Sequence, residues 1–535
     1  MVKKLFIDLD NILFFSVLNS LIQKLNRGFF LFKKVTKTFE IFYFCKNILK
    51  FKQMASKPTY NSEIAFQSDR RKAAVELIKI ISDLWYDFSI ELVLFRNQLM
   101  DRNVSEILKL HEYAGEFVNK PISIFDSVEM AQAIKLLNLP ASKLDIGKLT
   151  FEYHKEEVSS YSTSAFLTEK LKAAKQQPKL EPKDVVLYGF GRIGRLVARE
   201  LMDKSGSGSQ LRLRAIVTRG EITPTILEKR AALLRSDSVH GDFHGTVRVD
   251  AKSQALIING MTVYIISAAK PEEIDYTIYD INEALIIDNT GAFRDQEALQ
   301  RHLIAKGSKN VLLTAPGKGI PNIVHGVNHL EHTPESVAIF SAASCTTNAI
   351  TPILKVVEDS LGVVHGHLET IHAYTNDQNL VDNLHSKYRR GRAAALNMVI
   401  TETGAGKAVS KALPTLENKL TSNAIRVPVP NGSLAILNLE IKKTTTLKKI
   451  NNLIKTAALS GALVEQIKYE FNDELVSSDI VGSPAPSIYD SKATIVSPNG
   501  KNIILYIWYD NEFGYSHQVV RLAKYIAKVR RFTYY

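Results

Sequence analysis

Apolar residues recur at helical spacing over residues 68–175. One stripe consists of Leu77, Ile78, Ile81, Leu84, Trp85 and Phe88. Because residues three and four apart share a helix face, this stripe predicts an amphipathic helix. Ser127 is the predicted N-cap of a later helix, which ends near Asn138 and is followed by Pro140. No catalytic constellation falls in this region, so we expect an all-α packing module over residues 54–175.

From Asp184 onward, short buried strands alternate with helices. A polar stretch with two prolines, residues 172–183, comes first and is predicted to be a linker. Residues 185–187 form a first strand, which runs into a glycine-rich turn and a helix, and residues 211–217 form a second. This alternation is typical of an α/β fold with a parallel sheet covered by helices.

The turn after the first strand reads Gly189, Phe190, Gly191, Arg192, Ile193 and Gly194. This G-x-G-x-x-G spacing lets the backbone turn tightly and approach a pyrophosphate, which then lies at the N-terminus of the following helix. Since the motif stands between a strand and a helix, as it must, it predicts a Rossmann-type domain that binds a dinucleotide.

The end of the second strand bears on the choice of cofactor. NAD-specific sites usually have an acid there to hold the ribose hydroxyls. This chain has Thr218 and Arg219 instead, and Arg219 is able to pair with a 2′-phosphate. We therefore expect NAD, NADP or both, the alternative being that Arg219 is a solvated loop charge. Later strands end in small-residue turns at Thr290-Gly291 and Thr314, which we expect to lie against the cofactor.

Composition and charge narrow the functional classes. The chain has 535 residues, a net charge of +13 and two cysteines. Residues 1–53 contain ten Lys/Arg and three Asp/Glu, which leaves +6 for the rest of the chain. That mild excess suits anionic substrates, and no nucleic-acid signature is present, so we predict no nucleic-acid partner. Two cysteines suit a reducing cytoplasm, and no spacing suggests a metal site.

The Phe- and Lys-rich segment 1–53 is an unusual start for such a chain. Its longest uncharged stretch is too short to cross a bilayer, so we predict no membrane partner. The segment ends at Met54, whose context resembles a native start. We therefore expect residues 1–53 to be missing from the native protein or only loosely ordered.

Cys345 is the one cysteine outside residues 1–53. It follows the apolar run 337–340 and precedes a helical pattern, which predicts a strand, a sharp turn and a helix start. Backbone N–H groups and the helix dipole favour a thiolate at such a position. Taken alone, a cysteine is more often a buried structural residue, but the polar neighbours Ser344 and Thr346 argue against an apolar pocket.

His372 ends a strand-like run and is the candidate base for the thiol. A lone histidine in a strand is often structural, but the glycine-rich turn and the thiol at a helix start favour the catalytic role. Groups able to hold phosphate oxygens follow along the chain, namely Thr375, Arg389, Thr403, Gly404 and Arg426.

Together these motifs resemble phosphorylating glyceraldehyde-3-phosphate dehydrogenases. The resemblance covers about residues 183–530 and rests on several motifs in the family's order, at 189–195, 344–348, 372, 403–407 and 508–515. Residues 374–397 resemble the family's loop near the cofactor and the subunit contacts. Residues 54–175 look like the N-terminal extension of a longer bacterial subgroup.

The resemblance implies a mechanism. Cys345 would attack glyceraldehyde 3-phosphate as a thiolate, while His372 lowers the pKa of the thiol and acts as general base. Inorganic phosphate would then release 1,3-bisphosphoglycerate from a thioester. The residues implied to hold the attacking phosphate are Ser344, Thr346, Arg389, Thr403 and Gly404. The residues implied to hold the C3 phosphate of the substrate are Thr375 and Arg426. Asn511 would contact the nicotinamide amide of the cofactor, and Tyr515 would also contact the cofactor.

The resemblance also implies domains and assembly. We expect a dinucleotide-binding domain over residues 183–344 with a C-terminal helix over 511–535, and a catalytic domain with a mainly antiparallel sheet over 345–510. A cytoplasmic homotetramer is implied by the family alone. Three positions depart from the family pattern, Tyr188, Thr218 and Asp377. Alternative functions are an erythrose-4-phosphate dehydrogenase and a non-catalytic regulatory or binding homologue.

Overall fold

The computed structural model describes residues 59–155 and 162–535. The prediction for residues 1–53 therefore lies outside the described residues. The chain divides into two compact units, residues 1–70 and 71–535. The described part of the first unit is the beginning of helix α1 (Tyr60–Phe88), and all contacts discussed below lie within the second.

Residues 71–175 form a mainly helical module with its own apolar core. The predicted stripe is confirmed, because Leu77, Ile81 and Leu84 are buried on one face of α1. The elements that follow α1 are β1 (Glu91–Leu94), β2 (Asn97–Gln98), α2 (Val104–Val118), α3 (Ile124–Leu136), β3 (Ser142–Asp145), α4 (Ile146–Lys155), α5 (Thr163–Lys170) and α6 (Lys172–Lys175).

The module differs from the prediction in its details. Besides its helices, the module contributes β1, β2 and β3 to a small sheet. The sequence did not predict these strands, because runs of two to four residues are too short to show a periodic pattern. The N-cap of α3 is Ser123, whose side chain accepts a hydrogen bond from the Phe125 N–H. Ser127 lies inside the helix, buried, 2.9 Å from His111 Nε2. The predicted linker is shorter than expected, because α6 occupies its first four residues.

The dinucleotide-binding half is the predicted α/β domain. Its sheet has the order β13-β12-β11-β4-β5-β10-β9-β8, in which the first six are parallel and the last two antiparallel. The elements are β4 (Lys183–Tyr188), α7 (Arg192–Asp203), β5 (Leu211–Thr218), α8 (Pro224–Arg235), β6 (Ser236–Asp237), β7 (Gly241–Asp242), β8 (Val247–Asp250), β9 (Ala255–Ile258), β10 (Met261–Ser267), β11 (Ala284–Asp288), α9 (Gln296–Ile304), β12 (Ser308–Leu313) and β13 (Ile339–Ser341).

Parallel pairing decides where this domain can bind a ligand. The carboxyl ends of parallel strands meet at one edge, so the turns after β4, β5, β11, β12 and β13 lie side by side. These turns carry the glycine motif, Thr218, Thr290, Thr314 and the approach to Cys345. The sheet therefore brings together residues far apart in sequence.

The C-terminal half follows β13 and is built on a second, mainly antiparallel sheet, as predicted. Its strand order is β15-β16-β14-β17-β21-β19-β18, with β20 paired to β21. Its elements are α10 (Cys345–Leu361), β14 (Val363–Ala373), β15 (Val399–Thr401), α11 (Ala405–Ala412), β16 (Leu420–Val427), β17 (Ser433–Ile441), α12 (Leu447–Leu459), β18 (Ile467–Glu470), β19 (Ser487–Asp490), β20 (Ile495–Val496) and β21 (Asn502–Tyr509).

The chain returns to the first half at its C-terminus. Helix α13 (Phe513–Ile526) packs on α7, and its buried residues join the core of the dinucleotide-binding domain. The predicted helix over 511–535 is therefore shorter, because Lys528 adopts a φ of 56° just after it ends. Strand β22 (Phe532–Tyr534) then pairs in parallel with β3 of the N-terminal module. This long-range pairing is invisible in the local sequence.

Single turns of 3-10 helix complete the described structure. They span Pro271–Glu273, Tyr276–Tyr279, His329–Glu331, Tyr388–Gly391, Pro414–Leu416 and Ser477–Ile480. Over the residues that the structure describes, no helix combines the length and apolarity needed to cross a membrane.

Candidate active site

Cys345 begins helix α10 directly after the turn that follows β13. Ser344 is the N-cap, and its hydroxyl accepts a hydrogen bond from the Thr347 N–H at 3.0 Å. Ala343 has a φ of 55°, a strained value for a residue with a Cβ. The Tyr515 hydroxyl donates to the Ala343 carbonyl at 2.8 Å and so supports this turn. Tyr515, which was predicted to contact the cofactor, thus contacts the turn that precedes Cys345.

His372 and Cys345 meet across the two sheets. The sulfur of Cys345 lies 3.6 Å from His372 Nε2. The other ring nitrogen, Nδ1, lies 2.7 Å from the carbonyl oxygen of Ala373 and 2.8 Å from Arg426 Nη1. Only the tautomer that carries its hydrogen on Nδ1, donating to Ala373, leaves Nε2 able to accept the thiol proton.

Arg426 is held beside His372 by the sheet itself. The strands β14 and β16 are parallel, and their register pairs His372 with Arg426. Arg426 Nη1 donates to the Ala373 carbonyl at 2.9 Å. The Nε of Arg426 is buried and has no hydrogen-bond partner among the described residues, and no carboxylate of that part of the chain lies within ion-pair distance. A half-buried guanidinium in this state favours the binding of an anion.

Burial dominates the protonation of the pair. It raises the pKa of the Cys345 thiol, and the positive charge of Arg426 opposes that rise. Burial, with help from Arg426, lowers the pKa of His372 to about 4. The family resemblance implies that His372 lowers the thiol pKa, and this stays a prediction; the charge that lowers it in this structure is that of Arg426. A lowered His372 pKa favours the neutral imidazole, which is the form able to accept a proton.

Tyr509 is a site residue that the sequence analysis missed. Its hydroxyl lies 3.0 Å from Thr346 Oγ1 and 2.7 Å from Thr370 Oγ1, and its ring meets the His372 ring edge-on. The hydroxyl of Thr346, a predicted phosphate ligand, is therefore already engaged. Tyr509 stands in the motif 508–515, but only the strand order, in which β17 alone separates β21 from β14, brings its hydroxyl to Thr370.

The predicted phosphate ligand Arg389 is not brought to the site. It is exposed, and its nearest polar contact is the Ile400 carbonyl at 3.4 Å. The next residue, Arg390, points inward and forms an ion pair with Asp377. Because the two arginines are adjacent, the sequence alone could not tell which one faces the site.

Asp377 contacts both Thr375 and Arg390. Its carboxylate accepts a hydrogen bond from the Thr375 hydroxyl and pairs with Arg390. Burial raises the pKa of Asp377, but the Thr375 hydrogen bond and the charges of Arg426 and Arg390 outweigh it, so the net pKa is lowered. A carboxylate of this chain therefore already occupies Arg390, the inward-facing neighbour of the predicted ligand Arg389.

Thr403 and Gly404 lie at the start of α11. The hydroxyl of Thr403 accepts from the Ala405 N–H at 3.2 Å, and Gly404 is the N-cap of the helix. A Cβ built on Gly404 would meet no atom within 4 Å, so its backbone is open to a ligand. Neither residue forms a hydrogen bond to Cys345 or His372 among the described residues.

The glycine turn fits a dinucleotide pyrophosphate. Gly189 has a φ of 97°, and a Cβ on Gly194 would lie 2.5 Å from the Gly189 oxygen, so both positions require glycine. A Cβ on Gly191 would meet nothing within 4 Å, which leaves open space at the N-terminus of α7. That N-terminus has no side-chain cap. Its free N–H groups and the open space are what an anion needs.

The other predicted residues of the motif are structural in this arrangement. Phe190 is buried in the domain core, and Ile193 packs against it. The Arg192 guanidinium makes paired bonds to Glu512, both at 2.6 Å, and to Asp237 at 3.0 and 3.1 Å. Arg192 thus offers a ligand its backbone N–H while its side chain joins α7 to the residue before α13.

The turns of the neighbouring strands line the same edge. The Thr218 hydroxyl is buried and has no partner among the described residues, whereas Arg219 is exposed. Thr290 and Thr314 both bond to Asp288, the hydroxyl of Thr290 to its carboxylate at 2.7 Å and that of Thr314 to its carbonyl at 3.0 Å. These two threonines therefore fix the turns, and Gly291, with a φ of 67°, completes the first.

Asn511 follows strand β21 of the C-terminal half. Its side-chain oxygen accepts from the Ser433 hydroxyl at 2.7 Å, and that hydroxyl in turn accepts from the Ala373 N–H at 3.1 Å. Through Ser433, the side chain of Asn511 is thus linked to the backbone of Ala373, the residue that follows His372. Among the described residues no group of His, Cys, Asp and Glu is arranged to hold a metal ion.

Two family models match the chain. The model described as glyceraldehyde 3-phosphate dehydrogenase, NAD binding domain, matches residues 183–296. The model described as glyceraldehyde 3-phosphate dehydrogenase, C-terminal domain, matches residues 344–511. The two matched segments contain the glycine turn and the Cys345/His372 pair respectively.

Individual relatives agree with these models. A glyceraldehyde-3-phosphate dehydrogenase-like protein of Pseudomonas aeruginosa (strain UCBPP-PA14) is 47% identical over 459 residues, covering 85% of this chain and 98% of its own. A glyceraldehyde-3-phosphate dehydrogenase of Zymomonas mobilis is 37% identical, covering 64% and 98%, and glyceraldehyde-3-phosphate dehydrogenase 2 of Trichormus variabilis is 39% identical with the same coverage. Residues 183–535 make up about two thirds of the chain, so the Pseudomonas match includes much of the N-terminal module.

Proposed function

The chain belongs to the glyceraldehyde-3-phosphate dehydrogenase family, and from this premise we propose that it oxidises and phosphorylates glyceraldehyde 3-phosphate to 1,3-bisphosphoglycerate with NAD(P). The observation that carries the proposal is the contact of Cys345 Sγ with His372 Nε2, at 3.6 Å. The contact lies at a helix N-terminus, beside a half-buried arginine, Arg426, whose buried Nε has no partner among the described residues. A thiol, a neutral base and an anion-binding cation are the groups that this chemistry requires.

The proposed first step is attack of the Cys345 sulfur on the aldehyde carbon. His372 Nε2 takes the thiol proton as the C–S bond forms, and this step requires the tautomer whose Nδ1–H donates to the Ala373 carbonyl. The N–H groups at the start of α10 stabilise the oxyanion. His372 then returns this proton to the oxyanion, which gives the hemithioacetal, and a nicotinamide bound in the neighbouring domain would supply the hydride acceptor for its oxidation. His372 takes the hydroxyl proton, and Cys345 is left carrying a thioester.

In the second step, inorganic phosphate attacks the thioester and the Cys345 thiolate leaves. We propose Arg426 and Arg390, with Thr375, as the cationic and hydroxyl groups for substrate anions, and the open backbone at Gly404 as a further contact. Asp377 must yield Arg390 to the incoming anion. Ser344 and Thr346 act chiefly by fixing the Cys345 turn, since their hydroxyls already bond to Thr347 and Tyr509.

We propose that the cofactor lies along residues 183–344 and that either NAD or NADP is accepted. The glycine turn would hold the pyrophosphate through its backbone, and Asn511 would hold the nicotinamide amide. The missing acid at Thr218 and the exposed Arg219 support tolerance of a 2′-phosphate. The catalytic thiol needs a reducing compartment, which supports the cytoplasm as the location.

We also propose that copies of the chain associate as a homotetramer through the loop of residues 374–400. Monomeric proteins rarely expose a run of large apolar side chains. This loop does, with Leu384 96% exposed. The others are Leu380, Val381, Tyr388, Leu396, Met398 and Ile400. Sedimentation of the full chain tests this assembly.

Steady-state kinetics on the purified full chain test the reaction. We expect reduction of NAD or NADP by glyceraldehyde 3-phosphate to require inorganic phosphate. Cys345→Ser should abolish turnover, and His372→Asn should lower kcat by roughly a hundred- to ten-thousand-fold. His367→Asn, a change at an exposed histidine of the same strand, should leave kcat unchanged.

Three results would contradict the proposal in different ways. Acid formed at an equal rate without phosphate would favour hydrolysis, as in an erythrose-4-phosphate dehydrogenase. Full activity in Cys345→Ser would remove the nucleophile from the mechanism. No turnover in a folded protein whose Cys345 reacts with iodoacetamide would favour a non-catalytic homologue.

A further inference from the structure

A small basic cavity lies away from the candidate active site, where the N-terminal module meets α7, α13 and the C-terminal segment. Its volume is about 100 Å³. Seven lysine and arginine side chains line it against three glutamates, which leaves a formal excess of four positive charges. Five of these basic residues are Lys143, Lys204, Lys524, Arg530 and Arg531.

The three glutamates are already occupied. Glu91 binds Lys204 at 3.0 Å, Arg531 at 3.2 Å and Lys143 at 3.5 Å. Glu200 pairs with His517 at 3.0 Å, and Glu465 with Arg530 at 3.6 Å. One carboxylate thus serves three cations, so the charge of the cavity is not balanced by the protein itself.

Arg531 shows the imbalance at the level of atoms. Its side chain is about 4% exposed, and its Nη1 bonds to Glu91. Its Nε and Nη2 are buried and have no hydrogen-bond partner in the described part of the chain. The guanidinium carbon lies 4.4 Å from the centre of the Trp85 ring, a stacking contact that fixes the plane but provides no acceptor for the N–H groups. Buried donors without acceptors are costly unless a ligand or ion supplies them.

Lys524 is a second cation of the cavity. It lies on α13, and no ion pair of its ammonium group occurs among residues 59–155 and 162–535. Burial and then the charge of Arg531 lower its pKa to about 7, and Lys204 adds to this effect. Glu91 and Glu200 act in the opposite direction but do not restore the pKa. An additional negative charge in the cavity would stabilise the ammonium form.

We propose that the basic cavity, which residues of both the N-terminal module and the dehydrogenase body line, binds a small oxyanion of the phosphate class, with Arg531, Lys524 and Arg530 as its ligands. A water molecule takes up about 30 Å³, so the cavity holds about three waters, the size of an inorganic oxyanion. Nucleotide-sized ligands need roughly 300 Å³ or more. The site is therefore separate from cofactor binding and from the substrate groups around Arg426.

Thermal melting of the full chain tests the proposal with inorganic phosphate as the probe. In the wild-type protein, phosphate should raise Tm on the order of 2 °C above the effect of potassium chloride at equal ionic strength. Lys524→Met should lose at least half of that rise, and Lys524→Arg should keep it because the charge remains. Lys448→Met, a change at an exposed lysine of α12, controls for the loss of one positive charge. Phosphate bound at the active site raises Tm equally in all these variants, so only the difference reports on the cavity.

The outcomes divide cleanly. A loss of the phosphate response in Lys524→Met but not in Lys448→Met supports the cavity as an anion site. Equal effects of phosphate and potassium chloride, or an unchanged response in Lys524→Met, overturn it. If Lys524→Met does not fold, Arg530→Gln is measured instead, because Arg530 is more exposed, and an unchanged response there is equally decisive against the site.

Discussion

Replacing Arg426 by Gln tests whether its guanidinium activates the Cys345 thiol. Arg426 Nη1 lies 2.8 Å from one nitrogen of the His372 ring, and the sulfur lies 3.6 Å from the other. With the ring between them, charge and sulfur are on the order of 8 Å apart, where Coulomb's law at an effective dielectric constant of about 20 gives roughly 2 kcal/mol. This field keeps the thiol pKa below the value that burial alone would give it.

The sign of the effect follows directly. Without the positive charge the thiolate is less stable, so the pKa of Cys345 rises and the thiolate fraction at pH 8 falls about 10- to 30-fold. The assay is the rate of alkylation by iodoacetamide between pH 6 and pH 10, followed by the mass of the modified peptide. An uncharged reagent is essential, since removal of Arg426 would also weaken the attraction of anionic iodoacetate.

Arg426→Lys is the matched control, because it keeps the charge and loses the planar fork. We expect its alkylation profile to stay close to that of the wild type. An unchanged midpoint in Arg426→Gln would refute the idea that this charge reaches the sulfur. Equal losses in the Gln and Lys variants would point instead to the lost hydrogen bond to the Ala373 carbonyl.

Three further changes have definite expected results. Gly194→Ala should lower the free energy of unfolding by about 1–3 kcal/mol, because its Cβ would lie 2.5 Å from a carbonyl oxygen of the turn. Gly191→Ala meets no such contact, so it should leave the melting temperature unchanged and weaken the binding of NAD in calorimetry. Asp377→Asn frees Arg390 for substrate, so KM for glyceraldehyde 3-phosphate should fall about threefold; a higher KM would contradict this competition. Tyr509→Phe leaves two buried threonine hydroxyls without their shared partner and should cost about 1–3 kcal/mol in chemical denaturation, and a neutral effect would count against that bridge.

The local pattern was sufficient for much of the fold. The strand, glycine turn and helix at β4 and α7 were predictable because φ limits, helix capping and apolar periodicity act within a few residues. The start of α10 at Cys345 was predictable for the same reason. Local signals did not fix the N-cap of α3, since Ser123 and Ser127 lie four residues apart and both fit a helix start.

The candidate site was predictable in its residue types but not in its contacts. The sequence provided a thiol, an imidazole and several cations, and the family resemblance assigned their roles. It could not distinguish Arg389 from Arg390, because which of two adjacent side chains points inward depends on the 3-10 turn Tyr388–Gly391 and its packing. It also could not show that Asp377 already pairs with the inward arginine.

The sequence by itself determined the order of elements, the glycine turn and the identity of the reactive thiol, because these depend on residues close together along the chain. Only the tertiary structure decided the partners: His372 and Arg426 become neighbours through the register of β14 and β16, and Tyr509 joins them through β21. It also decided that β22 completes the sheet of the N-terminal module and brings Arg531 to the basic cavity. Contacts between distant segments and the electric fields they create arise from packing, which no local pattern encodes.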